Sequence, residues 1–283
     1  MSWQAYLIIS ILLLSCNGLF HRSLLKDDDS SPLAQTIIFL GIGGILAITI
    51  AILRGNLNLH IPPSLVWNFL LLAAILTPAY ILKYKAFQHI GASEVVIFSV
   101  TGRLWNVIGA HLFLNEAVTI KVVAGAIIIV AGVVITRLEN RKILLNEGVI
   151  FVLISAFLFG MGDINGFYIL RSYDSANFLI YATILPVITL LIIKPQTIKK
   201  LKYYFKKDRA VKITLLCLFD TLGMLSLYRA YQVGQNAAVI GPLRATSIIV
   251  TVILAAIFLK ERNNIKNKLI GAFVSVIGVY LLL

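Results

Sequence analysis

The chain contains an internal duplication, and this feature constrains its fold more than any other. Residues Tyr84–Glu116 read YKAFQHIGASEVVIFSVTGRLWNVIGAHLFLNE, and residues Tyr228–Glu261 read YRAYQVGQNAAVIGPLRATSIIVTVILAAIFLKE. Both segments begin with Tyr, a cation, Ala, an aromatic residue and Gln. Both continue through a helix-length apolar stretch that contains an arginine, and both end on Leu-x-Glu. Such a repeat predicts a fold built from two copies of one unit.

The same offset recurs elsewhere in the chain. The nonapeptides GAIIIVAGV and GAFVSVIGV begin at Gly125 and Gly271, and Asn17 and Asn165 are each followed by glycine. All these pairs are separated by 144 to 148 residues. The duplication therefore covers the whole chain and not a single motif.

The composition indicates that the solvent of this chain is a lipid bilayer. Of its 283 residues, 59% are hydrophobic and only 13% are charged, whereas about 25% of the residues of a soluble domain are charged. Hydrocarbon offers the backbone no hydrogen-bond partners, so only helices and closed barrels span it. The apolar segments, about 18 to 24 residues long, suit helices and are too long for barrel strands. We predict an all-α integral membrane protein.

Ten apolar segments are predicted to cross the membrane. They are Trp3–Phe20, Ala34–Leu53, Leu65–Leu82, Ala92–Leu114, Thr119–Thr136, Gly148–Phe167, Ala176–Ile193, Ile213–Tyr231, Asn236–Leu259 and Leu269–Leu283. Each copy of the repeat contains five, so we predict two domains, residues 1–142 and residues 143–283. Because five is odd, the second domain must enter the membrane from the opposite side. The prediction is therefore a pair of inverted five-helix repeats.

The distribution of cations predicts the orientation. The loops after odd-numbered spans hold nineteen Lys and Arg, with Lys83 and Lys85 counted among them, and the opposite side holds four. The positive-inside rule then puts these loops in the cytoplasm and both termini outside. Loop Lys194–Lys212 supplies eight of the nineteen. Its position favours a topogenic role, and its aromatic residues leave an anionic-lipid or partner site as the alternative.

The net charge of +13 is explained by these loops, so no nucleic-acid partner is predicted.

Four ionisable residues lie inside predicted spans: Arg103, Arg244, Asp163 and Asp220. A charge at the bilayer centre costs about 2.5 to 3.5 kcal/mol on insertion scales. Each of these residues is therefore expected either to have a functional role or to pair with an opposite charge. The two arginines occupy equivalent spans and would suit an anionic or zwitterionic ligand. The alternative is that the two aspartates neutralise them as structural ion pairs.

Several polar residues near these charges are further candidates for substrate binding. They are Trp105 and Asn106 beside Arg103, and Asn17 and Asn165 in the first span of each repeat. An amide within hydrocarbon needs a partner on another helix, so packing is an equally good interpretation. Gly241-Pro242 would break the helix beside Arg244. Glu116 and Glu261 end their spans, either as carboxylates at the membrane surface or as proton sites.

One motif resembles that of an enzyme. Residues 160–163, Gly-Met-Gly-Asp, match the Gly-x-Gly-Asp of intramembrane aspartyl proteases, with Asp220 as a second carboxylate. Those proteases also carry a Tyr-Asp motif on the preceding helix, and no such motif precedes Asp163 in this sequence. We therefore predict that the chain is not an enzyme, and the sequence indicates no metal site and no cofactor.

The second repeat carries the residues of a known family. The runs YRAYQVG from Tyr228, AAVIGPL from Ala237 and FLKER from Phe258 resemble those of EamA-type permeases of the drug/metabolite transporter superfamily. The chain departs from the family pattern where a glycine precedes the closing glutamate, because Asn115 and Lys260 stand there. The resemblance implies a central cavity lined by spans one to four and six to nine, with spans five and ten outside.

The resemblance also implies a function. Members of the family move amino acids, nucleotide precursors, sugars and other small metabolites, often outward. We therefore expect a secondary transporter, an exporter, of a small polar metabolite that is anionic or zwitterionic, such as an amino acid, working by alternating access in a bacterial cytoplasmic membrane. The expected partners are this substrate, the lipid bilayer and a coupling proton or ion, and the chain is a monomer or a homodimer. The alternative is a membrane receptor or assembly partner with the same fold.

The resemblance and the charge count differ on orientation. Family members are drawn with both termini in the cytoplasm, whereas the cation distribution places them outside. We follow the distribution of Lys and Arg in this chain and expect both termini outside.

Overall fold

A computed structural model of the protein describes residues 2–26, 29–114, 119–139, 142–143, 146–234, 240, 244, 247–261 and 263–281. Within these ranges the chain is helical apart from short connections and one antiparallel pair of two-residue strands, β1 (Leu138–Glu139) and β2 (Lys142–Ile143). The prediction of an all-α protein is thereby confirmed.

The helices of the first half are α1 (Trp3–Ser15), α2 (Asn17–Leu25), α3 (Pro32–Leu53), α4 (Val66–His89), α5 (Ala92–Ser99), α6 (Gly102–Leu114) and α7 (Ile120–Arg137). Those of the second half are α8 (Glu147–Leu170), α9 (Ser175–Ile193), α10 (Lys207–Gly234), α11 (Ser247–Phe258) and α12 (Ile265–Leu281). Two 3-10 segments, Pro63–Leu65 and Pro195–Phe205, precede α4 and α10.

Six helical stretches of the described residues are long and apolar enough to cross a membrane. They are Trp3–Leu25, Pro32–Leu53, Pro63–His89, Glu147–Leu170, Ser175–Ile193 and Lys207–Gly234, and Val123–Ile135 and Ser247–Phe258 are shorter apolar helices. The protein is therefore a multi-pass membrane protein. The ten-span count is not reached by this criterion. The fourth predicted span is broken between Ser99 and Gly102, and part of the ninth lies outside the described residues. The fifth is represented by the shorter helix Val123–Ile135, and α12 in the tenth has 17 residues.

Side-chain caps fix where several helices begin. Asp174 accepts hydrogen bonds from the backbone N–H groups of Ala176 and Asn177 at 2.9 and 3.1 Å, which starts α9. Ser31 caps α3 in the same way, with Pro32 at the first helical position. Each cap satisfies N–H groups that have no partner inside the helix, which hydrocarbon would otherwise leave unpaired.

Helices α7 and α12 pack along a seam of small residues, which we call the glycine seam (Gly125, Ile129, Gly132, Gly271, Ser275, Gly278). A Cβ atom at Gly132 would lie 2.7 Å from the carbonyl oxygen of Gly271, and one at Gly278 would lie 2.8 Å from that of Gly125. The two backbones therefore approach as closely as only glycine permits. Because the higher-numbered residue of one helix meets the lower-numbered residue of the other, the two helices run antiparallel.

The remaining helix pairs follow the same exchange. Helix α4 packs against α8, and α10 packs against α1. Helix α10 is the counterpart of α4, and α1 together with α2 is the counterpart of α8. Helix α3 packs against its own counterpart, α9, as α7 does against α12. The contacts thus recur when the two halves are interchanged.

Two carboxylates connect the halves at the odd-loop face, the end of the molecule at which α4 and α11 stop and α5 and α12 start. Glu261 accepts hydrogen bonds from the N–H groups of Ala92 and Ser93 at 2.9 and 3.3 Å and from the Ser93 hydroxyl at 3.0 Å. Glu94 forms an ion pair with the buried Lys268 at 3.2 Å. Glu261 therefore caps α5, where a carboxylate is favourable. Its counterpart Glu116 lies outside the described residues.

The turn before Glu261 has a backbone conformation that favours the glycine of the family pattern. Lys260, which stands where the family has glycine, has a φ of 55°. An L-residue in this left-handed region costs about 1 to 2 kcal/mol, and glycine avoids that cost. Asn115, the equivalent residue of the first half, lies outside the described residues.

The basic loop Lys194–Lys212 is ordered against the helix ends at the odd-loop face. Tyr204 is buried and donates a hydrogen bond to the Ser31 carbonyl at 3.4 Å, and Tyr203 donates to the Leu24 carbonyl at 3.2 Å. Burial raises the pKa of the Tyr204 phenol. The hydroxyl therefore stays protonated and can donate.

The even-loop face, where α3 and α8 stop and α4 and α9 start, is also bridged. Asn177 donates to the Asn56 carbonyl and accepts from the Asn58 N–H, each at 2.9 Å. The Tyr173 hydroxyl donates to the carbonyls of Asn58 and His60, each at 3.1 Å. Burial raises the pKa of Tyr173 to about 12, so this donor stays protonated at neutral pH.

Candidate functional site

A cavity of about 270 Å³ lies between the two halves at the middle of the helices. Helices α1 to α6 and α8 to α11 contribute to its wall, and α7 and α12 contribute none of the described residues that line it. This arrangement agrees with the expectation that spans five and ten pack outside the cavity.

Five of the eight predicted site residues line the cavity: Asn17, Arg103, Asp163, Asp220 and Arg244. The other three, Trp105, Asn106 and Asn165, do not appear in its wall. Gly241 and Pro242, which we expected to open the helix beside Arg244, lie outside the described residues.

Arg103 and Asp163 form the first charged group, the Arg103 pole. The Arg103 Nη1 atom lies 3.2 Å from Asp163 Oδ2. The Asn106 amide satisfies most partners when its nitrogen donates to the Gly160 carbonyl at 2.7 Å and its oxygen accepts from Arg103 Nη1 at 3.1 Å. Asn106 therefore positions Arg103, and the expected structural ion pair is present at this pole.

The glycines of the protease-like motif serve helix packing. A Cβ atom at Gly160 would lie 2.7 Å from the Gly102 carbonyl oxygen, which brings α8 against α6. Asp163 is paired with Arg103 and shares no hydrogen bond with Asp220 in the part of the chain that the structure describes. The two carboxylates thus lack the geometry of an aspartyl dyad, which shares one proton at close range.

Asp220, Lys83 and Arg244 form the second charged group, the Asp220 pole. Asn17 donates from Nδ2 to Asp220 Oδ1 at 2.6 Å, and both cations lie within electrostatic range of the carboxylate. Arg244 Nη2 contacts the Met224 sulfur at 3.9 Å. Among the described residues, neither cation has a carboxylate oxygen within 4.0 Å. The expected Arg244–Asp220 ion pair is therefore not formed at hydrogen-bond distance.

Lys83 is the site residue that sequence reasoning missed. We placed it in a cytoplasmic loop, but α4 continues through His89, and Lys83 lines the cavity with its Nζ 5.4 Å from the centre of the Phe159 ring. The loop count of cations loses one member, and its asymmetry remains. The available signal was the spacing of Tyr80, Lys83, Tyr84 and Phe87, which places all four on one helical face; all four line the cavity.

Unpartnered polar atoms accompany the charges. The Tyr84 hydroxyl and Asn17 Oδ1 are buried, with no hydrogen-bond partner among the described residues. Beside them His21 accepts from or donates to Gln35, with 3.2 Å between His21 Nδ1 and Gln35 Nε2. Buried polar groups in native proteins are almost always satisfied, so these atoms are available to a small polar ligand or to water.

Two of the remaining candidates contact other helices. Asn165 accepts from Asn68 Nδ2 at 2.7 Å and donates to the Asn68 carbonyl at 2.8 Å. Trp105 packs edge-on against Phe157, with ring centres 4.9 Å apart. Both arrangements match the packing interpretation of these residues.

Comparisons with known proteins identify the kind of chain that carries this cavity. A family model described as the EamA-like transporter family matches residues 1–138 and residues 146–283. A solved structure described only as a crystal structure of a protein superposes with a TM-score of 0.60 at 15% identity, over 99% of this chain and 95% of its own. At that identity the likeness concerns the fold alone. No curated protein matches the chain in sequence.

Proposed function

The chain belongs to the EamA-like transporter family, and on this premise we propose that it is a secondary transporter of a small anionic or zwitterionic metabolite, such as an amino acid. The charged cavity carries this proposal, because three cations and two carboxylates of the described residues line it. Groups of this kind are costly in a membrane and occur on substrate and ion pathways. The cavity volume of about 270 Å³ is close to the lower end of the range of about 300 to 1,000 Å³ for ligand pockets and suits a small metabolite.

The proposed mechanism is alternating access between two inverted five-helix halves with ten spans in total. The reciprocal contacts of the glycine seam support the inversion, because Gly132 meets Gly271 as Gly278 meets Gly125. Hydrogen bonds between the halves at both faces support a cycle in which one set opens while the other stays closed. These sets are the Glu261 cap of α5 at the odd-loop face and the Asn177 contacts with Asn56 and Asn58 at the even-loop face.

The transporter is proposed to act as an exporter in a bacterial cytoplasmic membrane, as a monomer or homodimer, with a proton or ion as the coupling partner. Asp220 is the carboxylate proposed to respond to such an ion, because it lines the cavity and, among the described residues, has no cation within 4.0 Å, whereas Asp163 is paired with Arg103 at 3.2 Å. The membership in a transporter family agrees with the expectation that the chain is not an enzyme.

Transport by purified protein tests the function. Proteoliposomes loaded with a mixture of labelled amino acids and organic acids should exchange at least one solute faster than protein-free liposomes. An Arg103→Ala, Arg244→Ala double variant of the same protein is the matched control and should be inactive. If the wild-type protein moves no solute under any ion gradient, the alternative of a receptor or assembly partner is preferred.

The proposed orientation, with the odd-loop face in the cytoplasm, has its own test. Lys200 and Asn56 are exposed at opposite faces. A cysteine at Asn56 should react with a membrane-impermeant thiol reagent in intact cells, and one at Lys200 should not. The reverse pattern would place the termini in the cytoplasm, as the family resemblance implies.

A further inference from the structure

The charges of the cavity do not balance. Five of the described residues in its wall carry a formal charge: Lys83, Arg103, Arg244, Asp163 and Asp220. Three cations thus face two carboxylates, which leaves one positive charge.

The excess lies at the Asp220 pole. At the Arg103 pole the guanidinium is matched by Asp163 at 3.2 Å. At the Asp220 pole one carboxylate, already bonded to Asn17, serves two cations that have no carboxylate within 4.0 Å among the described residues. Burial of an uncompensated charge costs free energy unless an opposite charge joins it. A ligand with one net negative charge would supply that opposite charge, and a zwitterion would not.

We propose that the substrate carries a net negative charge and that Lys83 binds its additional anionic group. This inference rests on the proposed transport function. It narrows the substrate class from anionic or zwitterionic metabolites to anionic ones, for example an acidic amino acid. Lys83 provides a mobile point charge, and Arg244 provides a planar donor pair for a second oxyanion. An ammonium group of the same ligand would find acceptors in Asp220 and Asn17 Oδ1, the latter buried without a partner.

If Lys83 had only a structural role, replacing it would not change the preference for anionic ligands. Its Nζ lies 5.4 Å from the centre of the Phe159 ring, and a cation–π contact stabilises a lysine without any ligand. Lys85, on the same helix, makes a similar contact with Phe151 at 5.3 Å but is exposed outside the cavity. Lys85→Gln is therefore a matched control that removes a lysine and its ring contact and leaves the charge of the cavity unchanged.

The test compares ligands that differ in charge and little in shape. Binding to purified protein in neutral-lipid nanodiscs is measured by calorimetry for glutamate against glutamine and for aspartate against asparagine. The wild-type protein should favour the anionic member of at least one pair by about tenfold or more, the effect of one charged hydrogen bond. Lys83→Gln should reduce that ratio by about tenfold, and Lys85→Gln should leave it unchanged.

A second variant separates charge from structure. Adding Asp220→Asn to Lys83→Gln restores the single positive charge of the cavity, so the anion preference should return in part even though two side chains have been altered. Lys83→Arg keeps the positive charge and should keep the preference for anionic ligands. It provides the test where Lys83→Gln fails to fold.

Each remaining outcome counts against the inference or against the function, and the two are distinguishable. Preference for a neutral ligand in the wild type, an unchanged ratio in Lys83→Gln, or binding of neither member of any pair overturns the inference. Proteoliposomes that exchange only neutral or zwitterionic solutes also overturn it, while the transport function stands. Selective anion binding without transport of any solute supports the anionic site and overturns the transport function.

Discussion

The two halves of the molecule share a helical frame and differ in the polar residues placed upon it. Arg103 and Arg244 lie in equivalent predicted spans, yet among the described residues Arg103 has a carboxylate oxygen at 3.2 Å and Arg244 has the Met224 sulfur at 3.9 Å. Asn17 bonds to Asp220 in the cavity, and its counterpart Asn165 bonds to Asn68 outside it. The halves therefore share their helix packing and differ in the chemistry that they contribute to the cavity.

The largest difference is expected between the two arginines. Arg103→Ala leaves Asp163 without its cation. Breaking a fully buried ion pair costs about 3 to 5 kcal/mol, but the Arg103 and Asp163 side chains are 20% and 38% exposed and solvent screens the pair, so we expect about 2 kcal/mol. Arg244→Ala removes no ion pair and should cost less than about 1 kcal/mol while abolishing transport. Chemical unfolding in detergent micelles measures both losses.

The control for this pair of variants is charge neutralisation. Asp163→Asn in the Arg103→Ala background should recover most of the lost stability, because no unpaired carboxylate remains. Equal losses for the two arginine variants would mean that the pairing seen for Arg103 adds nothing, and the contrast between the halves would fail.

The glycine seam is where the halves are alike, so equivalent substitutions should have equal effects. Gly132→Ala and Gly278→Ala each place a Cβ atom within 2.8 Å of a backbone carbonyl on the opposite helix. Overpacking of this kind costs about 1 to 3 kcal/mol, and we expect about 2 kcal/mol from each. Gly41→Ala is the control, because a Cβ atom there meets no atom within 4 Å.

Thermal unfolding of the three seam and control variants gives the comparison. Unequal losses of stability in Gly132→Ala and Gly278→Ala would show that the two halves do not contribute equally to this interface.

The equivalent asparagines should separate stability from binding. Asn165→Leu breaks both hydrogen bonds with Asn68 and should lower the unfolding free energy by about 1 kcal/mol with substrate affinity unchanged. Asn17→Leu frees Asp220 within the cavity and should change affinity by about tenfold. Calorimetry and unfolding on the same preparations test this, and a change of affinity in Asn165→Leu would contradict the assignment.

The smallest effect is expected at the turn where the halves depart from the family pattern. Lys260→Gly relieves a left-handed φ of 55°, a cost of about 1 kcal/mol, and adds flexibility to the unfolded chain, so the net gain should be roughly 0.5 kcal/mol. Lys266→Gly, within α12, should instead destabilise the protein, because glycine is unfavourable inside a helix. A loss of stability in Lys260→Gly would mean that the lysine side chain has a role at this turn.

The duplication, the helical class and five cavity residues could be predicted because they depend on composition and on an offset that any reader can measure. Lys83 was missed, although its helical spacing from aromatic residues was a signal, because the end of α4 is set by a contact between helices. Arg22 of α2 donates hydrogen bonds to the carbonyls of Phe87 and Gln88 and so supports the last turn of α4. A lysine close to the end of an apolar run resembles a loop residue unless that contact is known.

The pairing of charges was beyond the sequence for the same reason. Arg103 and Arg244 have similar settings in their spans, and only the close approach of α6 and α8 at Gly102 and Gly160 brings Asp163 to the first of them. The offset between equivalent residues predicts which helices correspond. It does not predict which side chains face each other across the cavity.

The glycine seam has the form of an isologous interface, the kind that two identical chains make about a two-fold axis. In such an interface every substitution changes two contacts at once, and fusion of the two copies into one chain removes that constraint. The seam records this freedom, since Gly132 faces Ser275 whereas Gly278 faces Ile129, the residue equivalent to Ser275. A fused pair of this kind is free to change a residue of one copy alone, which a symmetric pair of separate identical chains cannot do.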